Sequence, residues 1–209
     1  MAMKRKAYNR KRRNVELRKR KSITYIVAEG KNKTETLYFK AFGHDTNKII
    51  RFAKGNHTDP VNMISELRNL LNDNDFSAEL GDKAYCLIDA DFSPSKNSQI
   101  LKADELARNY GAQVIVSAPC FEYWFLCHYK ASGKKYKSSI ELISDLEKQI
   151  SEYSKNAPNM YELLKEKTES AIKNAKTMEL THVANGEKIH TVDFSPSTEV
   201  YYIAEDLIK

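Results

Sequence analysis

Ser22–Gly30, SITYIVAEG, and Ala84–Asp91, AYCLIDAD, are the two stretches whose reading decides the fold. Each is a short apolar run that ends in acid: Glu29 in the first, Asp89 and Asp91 in the second. Apolar runs of this length, rich in Ile, Val and Tyr, read as strands of a parallel sheet buried on both faces. In an open α/β sheet the ligand crevice lies beyond the carboxyl ends of the strands. If the two strands are neighbours, Glu29, Asp89 and Asp91 converge on that crevice. Carboxylates gathered on one rim repel one another unless a cation sits among them. The expectation is a Mg²⁺ or Mn²⁺ site built from these three residues.

Working outward, Gly30 suits a tight turn, and Asn32 with Glu35 forms a capping-box pattern for a helix over Lys33–Phe42. A short strand, Lys48–Ala53, follows. A second helix opens at Pro60 and carries Val61, Ile64, Leu67, Leu70 and Leu71 at helical spacing. The third strand is Lys83–Ile88, the third helix Asn97–Tyr110 with Gly111 at its end, and the fourth strand Ala112–Ser117. This β-α-β-α-β-α-β order with short connections predicts a Rossmann-like, right-handed, four-stranded parallel sheet flanked by helices. The aromatic segment Pro119–Tyr129 reads as a helix. Beyond it come a basic loop at Gly133–Lys137, two longer helices at Ser138–Tyr153 and Asn159–Thr177, a weak hairpin around Asn185-Gly186, and a last helix from Ser197 or Thr198. The expected organisation is a basic arm over residues 1–21, an α/β domain carrying the acids over 22–129, and a helical extension over 130–209 packed on it.

Bulk composition narrows the class. The chain is 209 residues, 41% hydrophobic and 30% charged, which is globular rather than disordered. No apolar run approaches the roughly 20 residues that cross a bilayer, and no signal-peptide core follows the basic start, so no membrane role is expected. Cys86, Cys120 and Cys127 are odd in number and lack metal-ligand spacing, which implies a reducing, cytoplasmic setting. Residues 1–22 hold eleven Lys or Arg against one acid, Glu16. That is +10, leaving about −4 for the rest of a chain whose net charge is +6. An arm of this kind, with Arg12, Arg13, Arg18, Lys19 and Arg20, grips nucleic-acid phosphates without reading sequence, or simply solubilises a terminus.

Asp89 and Asp91, two apart on an extended strand, lie about 6.6 Å apart on one side, which suits one hard cation or two bridged by carboxylates. A DxD also begins surface loops, and a lone Glu after a strand is also a helix cap. His128, six residues beyond Glu122, reads as a packing histidine, and Phe121, Trp124 and Phe125 as core. His57, His182 and His190 show no zinc spacing. Lys134 and Lys135, with Lys137, form a second basic patch, and Lys173 and Lys176 lie one turn apart on a helix. Both pairs read as nucleic-acid contacts or as ordinary solvated surface.

The residues carry a resemblance. Glu29-Gly30 after the first strand and Asp89-x-Asp91 after the third resemble the Toprim domain of topoisomerases, primases and overcoming-lysogenization-defect nucleases. The finer pattern resembles the RloB-like family of bacterial defence-associated proteins. It rests on the basic arm, Val27–Gly30, Thr34-Glu35 with Tyr38-Phe39, Asp59-Pro60, Ile88–Asp91, Pro119–Trp124 through His128, Ala171–Lys176 and Pro196–Thr198. Ala28 stands where a Cys often precedes the Glu, and Ala118 where Asn is commoner before the Pro. The resemblance implies a Toprim-like fold and a Mg²⁺-dependent nuclease acting against phage on RNA, tRNA among the targets, or on DNA. It also implies an AAA or ABC-type ATPase as partner, Glu29 as catalytic acid/base, and Asp89 and Asp91 as metal ligands. Glu122, opening the helix after the fourth strand, is a fourth candidate acid or a helix-terminal charge favoured by the macrodipole. The competing function is a non-catalytic nucleic-acid-binding or sensor subunit. A haloacid-dehalogenase or glycosyltransferase reading of DxD is disfavoured, because here the motif follows the third strand rather than the first.

Overall fold

A computed structural model describes residues 20–29, 33–91 and 93–209. Strand β1 (Ile23–Ala28) lies between β2 (Ile49–Phe52) and β3 (Lys83–Asp89). Beyond β3 lie β4 (Gln113–Ala118) and β5 (Ser197–Thr198), giving the order β2-β1-β3-β4-β5. The first four strands are parallel, as the β-α repeat predicts. The fifth is the difference from the four-stranded expectation: Ser197 and Thr198 do not begin the last helix but pair antiparallel with β4. Two residues are too short for any hydrophobic period, so this strand leaves no pattern in the sequence. It is fixed instead by polar contacts: Ser117 and Thr198 hydroxyls meet at 2.8 Å, and the Val116 N–H donates to Glu199 at 2.8 Å.

Alternation along the strands divides the core in two. Tyr25, Val27, Cys86, Ile88, Val114 and Val116 face helices α2 (Pro60–Asn72) and α3 (Pro94–Arg108), where Met63, Ile64, Leu67, Ile100, Ala103 and Ala107 meet them. Asp59 caps α2, accepting the Asn62 N–H at 2.9 Å, with Pro60 in the first turn. Ile26, Tyr85, Leu87 and Ile115 face the opposite layer, which holds α1 (Lys33–Asp45), α4 (Glu122–Cys127) and the C-terminal helices α5 (Ser139–Glu147), α6 (Met160–Leu164), α7 (Thr168–Ala184) and α8 (Val200–Ile208). This second core is aromatic: Tyr38 touches the rings of Phe39, Phe42, Phe121, Phe125 and Tyr161. The predicted helix over Asn159–Thr177 is broken by a 3-10 turn at Lys165–Lys167, and the one over Ser138–Tyr153 stops at Glu147. Asn185-Gly186 closes α7 with a turn rather than a hairpin. Residues 130–209 thus both cover α4 and lend a strand to the sheet.

At the amino end of the sheet, buried Asp82 ties three segments together. It accepts from the Ile23 and Ser77 N–H groups, each at 2.9 Å, and pairs with Arg20 at 2.6 Å. Burial alone would raise its pKa, but these bonds hold it below the ordinary carboxylate value.

Candidate functional site

The register puts the predicted acids at one level. Ala28 lies beside Leu87 and Asp89 beside Ser117, so Glu29, Asp89 and Asp91 all emerge at the carboxyl edge. The chain is tightly held there. The Asp89 N–H donates to Glu29 Oε2 at 3.2 Å, Ala90 N–H to Ser117 O at 2.8 Å, and Asp91 N–H to Pro119 O at 3.0 Å. Asp91 turns the chain at φ 51°, a left-handed conformation that Asp tolerates better than most residues.

Alternation then separates Glu29 from Asp89, and the left-handed turn at Asp91 takes that residue to Lys96 and Glu29 rather than to the Asp89 side that the two-residue spacing predicts. Glu29 continues on the side of Val27, toward α3, where Lys96 waits in the first turn of that helix. Lys96 Nζ lies 2.9 Å from both Glu29 oxygens and 3.0 Å from Asp91 Oδ2. The lysine is buried, while the Asp91 carboxylate is half exposed. Burial raises the Glu29 pKa, and Lys96 and the Asp89 N–H only partly reverse this. Burial would lower Lys96, but its bonds to the two carboxylates outweigh that and raise it.

Asp89 continues on the side of Leu87, toward α1 and α4. Burial raises its pKa well above normal. Among charged neighbours Glu35 acts most strongly, then Glu122, Glu29 and Asp91, and all push the same way. Glu35, in the first turn of α1, is 3% exposed, and its Oε2 has no hydrogen-bond partner. Burial, with Glu122 and Glu29 nearby, pushes its pKa up to about 7. Glu122, in the first turn of α4 and also buried, accepts the Tyr153 hydroxyl at 3.0 Å. Two buried carboxyl groups, Glu35 and Glu122, and the half-buried Asp89 thus lie on this side without a cationic hydrogen-bond partner among the described residues.

Glu35 and Lys96 were not singled out as site residues from sequence. Glu35 showed only as the far end of a capping box and as part of the quoted Thr34-Glu35 match. Gly30 and Asn32, which would complete that turn, lie outside the described residues. Lys96, in Ser-Pro-Ser-Lys, carried no signal beyond a helix start.

A hard divalent ion matches the donor type, since the cluster is all oxygen, rich in negative charge, and holds one orphaned buried oxygen on Glu35. Among the described residues, however, no set of three or more His, Cys, Asp or Glu side chains stands ready-made to hold a metal. Lys96 supplies positive charge to Glu29 and Asp91 instead.

Of the basic residues, Arg12, Arg13, Arg18 and Lys19 lie outside the described residues. Arg20 is folded against Asp82 rather than standing in a loose arm. Lys134 pairs with Glu141 and Asp145, each at 3.0 Å, Lys135 with Glu187 at 3.5 Å, and Lys176 with Glu205 at 2.6 Å. Lys173 is exposed on α7. His128 is the packing histidine its position suggests: it bonds the Trp124 carbonyl at 2.9 Å, and burial lowers its pKa to about 4.

With this geometry in place, a family comparison decides the affiliation. The family described as RloB-like protein matches residues 24–207, from the start of β1 into α8. The chain belongs to the RloB-like family. No curated protein matches this RloB-like chain. Among solved structures, it is similar to a de novo designed Rossmann-fold protein at 16% identity, covering 46% of this chain and 83% of that one, with a TM-score of 0.34. No helix among the described residues is long and apolar enough to cross a membrane.

Proposed function

We propose that this RloB-like protein is a metal-dependent nuclease of Toprim type. It would cleave phosphodiester bonds of RNA, with tRNA a fitting target for a toxic defence effector, or of DNA. The observation that carries this reading is the gathering of Glu29, Glu35, Asp89, Asp91 and Glu122 at the carboxyl edge of a parallel sheet, around a half-buried Asp89 that every neighbouring acid pushes toward protonation. Such a concentration of like charge is costly for stability and is characteristic of sites that work on a cation and a phosphate. Asp89, with Glu29 and Asp91, would hold Mg²⁺ or Mn²⁺, and Glu35 and Glu122 would complete the negative wall. When bound, the ion supplies charge against the phosphate oxygens and makes water more acidic.

The chain's own groups do the rest. Glu29, tethered to the Asp89 N–H and raised in pKa by burial, is placed to take or return a proton at an attacking or leaving oxygen. Tyr153 fixes the orientation of Glu122. Exposed Lys173 and the basic residues before Arg20 would grip the nucleic-acid backbone, a salt-sensitive contact. An AAA or ABC-type ATPase is the partner proposed to control the activity.

The Lys96 ion pairs favour a second reading. If they permanently neutralise Glu29 and Asp91, the chain is a nucleic-acid-binding or sensor subunit. Incubating the purified protein with RNA and DNA in Mg²⁺ or Mn²⁺ separates the two. The nuclease reading expects cleavage that chelation stops and that Glu29→Gln or Asp89→Asn lowers about 10²–10⁴-fold. Binding without cleavage, or cleavage indifferent to both substitutions, overturns it.

A further inference from the structure

Lys96 places a cation on the oxygens that the proposed metal reading assigns to a divalent ion. Its ammonium group has three N–H donors, and all three are used: two on Glu29 and one on Asp91. The lysine sits in the first turn of α3, where the helix dipole disfavours a positive charge. Nor does Ser93 cap that helix with its side chain. Neither the helix nor its cap accounts for a buried lysine here; the carboxylates do. An ammonium and a divalent ion cannot both occupy contact distance to the same oxygens, since like charges a few ångströms apart in a poorly hydrated site repel strongly. One side of the arrangement is open, because the Asp91 side chain is 53% exposed. The long, flexible lysine stem can swing its head through that side into water.

We infer that Lys96 is an internal competitor of the metal: it pairs Glu29 and Asp91 in the metal-free protein and is displaced toward solvent when a divalent ion binds. This inference rests on the metal reading above. It assigns Lys96 a positioning role, holding the acids together before loading, and makes metal affinity weaker than the carboxylates alone would give.

Two measurements test it. Mn²⁺ titration, followed by calorimetry and by electron paramagnetic resonance, compares wild type with Lys96→Met and Lys96→Arg. Removing the competitor is expected to tighten Mn²⁺ binding by about tenfold, whereas Lys96→Arg, which keeps the charge, binds no tighter than wild type. The second measurement needs no variant and stands if Lys96→Met does not fold. Reductive dimethylation of the wild-type protein, read by mass spectrometry, is expected to label Lys96 several-fold faster with Mn²⁺ than without. Labelling of exposed Lys102 on the same helix should be unchanged.

If wild type binds Mn²⁺ while Lys96 labelling stays constant, or a folded Lys96→Met binds no tighter, Lys96 is not a competitor and the metal reading survives. If neither protein binds Mn²⁺ at millimolar concentration, the metal reading falls and this inference with it.

Discussion

The two faces of the sheet treat their acids in opposite ways. On the α3 face, Glu29 and Asp91 are held by a buried lysine making three bonds of 2.9–3.0 Å. On the α1/α4 face, Asp89, Glu35 and Glu122 are packed behind an aromatic wall. A tyrosine hydroxyl donates to Glu122 there, and no ammonium or guanidinium does among the described residues. The first face answers charge with charge. The second gives its acids no cationic hydrogen-bond partner among the described residues, and the Lys155 charge near Glu35 does not outweigh burial and mutual repulsion, which drive Asp89 and Glu35 toward their neutral forms. The contrast shows where the fold has settled its electrostatics and where it has left a demand for a cation.

The largest effect expected from this contrast is on the settled face. Lys96→Met strands Glu29, which is mostly buried, beside Asp91 with no positive partner. Breaking a buried pair from one side costs several kcal/mol; with Asp91 half exposed and screened by solvent, the metal-free protein should lose about 2–3 kcal/mol. Urea unfolding in the presence of chelator measures this. A loss below about 0.5 kcal/mol, the size typical of a neutral surface change, would show that the lysine face is no more settled than the other.

The next effect has the opposite sign and belongs to the other face. Glu35 has an ordinary value of 4.5 and a folded value of about 7. Between those pH values the folded state binds the proton that the unfolded state has released, so stability falls as pH rises from 4.5 to 7. Glu35→Gln carries no such proton and has no such slope. The variant should therefore match wild type near pH 4.5 and exceed it by about 1–3 kcal/mol at pH 8. Comparing the two proteins cancels the contrary trend of His128, whose buried neutral ring loses stability as pH falls from 6.5 through about 4. Parallel stability curves from pH 4.5 to 8 would mean that Glu35 is ionised without penalty, and the contrast between the faces would disappear.

How much of this was legible in the sequence follows from where each cause lies. Glu29, Asp89 and Asp91 were legible because apolar strands ending in acid are a local pattern, and adjacency of β1 and β3 brings those ends together. The parting of Glu29 from Asp89 was implicit in the period of two, since Leu87 and Ile88 enter different cores, but the same period puts Asp91 with Asp89, and only the left-handed turn at Asp91 carries it to the Lys96 face. Glu35 was visible only as a helix-start acid. Its burial depends on α1 lying under α4, a tertiary fact. Lys96 was opaque, because a lysine three residues after a helix-opening serine is ordinary on any surface. Only the packing of Ile100, Ala103 and Ala107 against the sheet draws the first turn of α3 down to Glu29. The basic patch at Lys134 and Lys135 shows the reverse error of local reading: three lysines in a loop suggest a phosphate surface, yet the first two are matched by Glu141, Asp145 and Glu187.

The smallest effect probes the tyrosine donor on the acid-rich face. Tyr153 gives its hydroxyl to Glu122 Oε1 at 3.0 Å, and burial together with the nearby Glu122 charge raises the tyrosine pKa strongly. Tyr153→Phe keeps the ring, which packs edge-on to Phe125, and removes only the donor. Removing the donor leaves a buried Glu122 oxygen without it, so the variant should lose about 1 kcal/mol in urea unfolding. A loss of that size would establish that this neutral donor tempers the face, whereas a loss below about 0.5 kcal/mol, the size of an ordinary surface change, would make Tyr153 a packing residue whose hydroxyl is incidental.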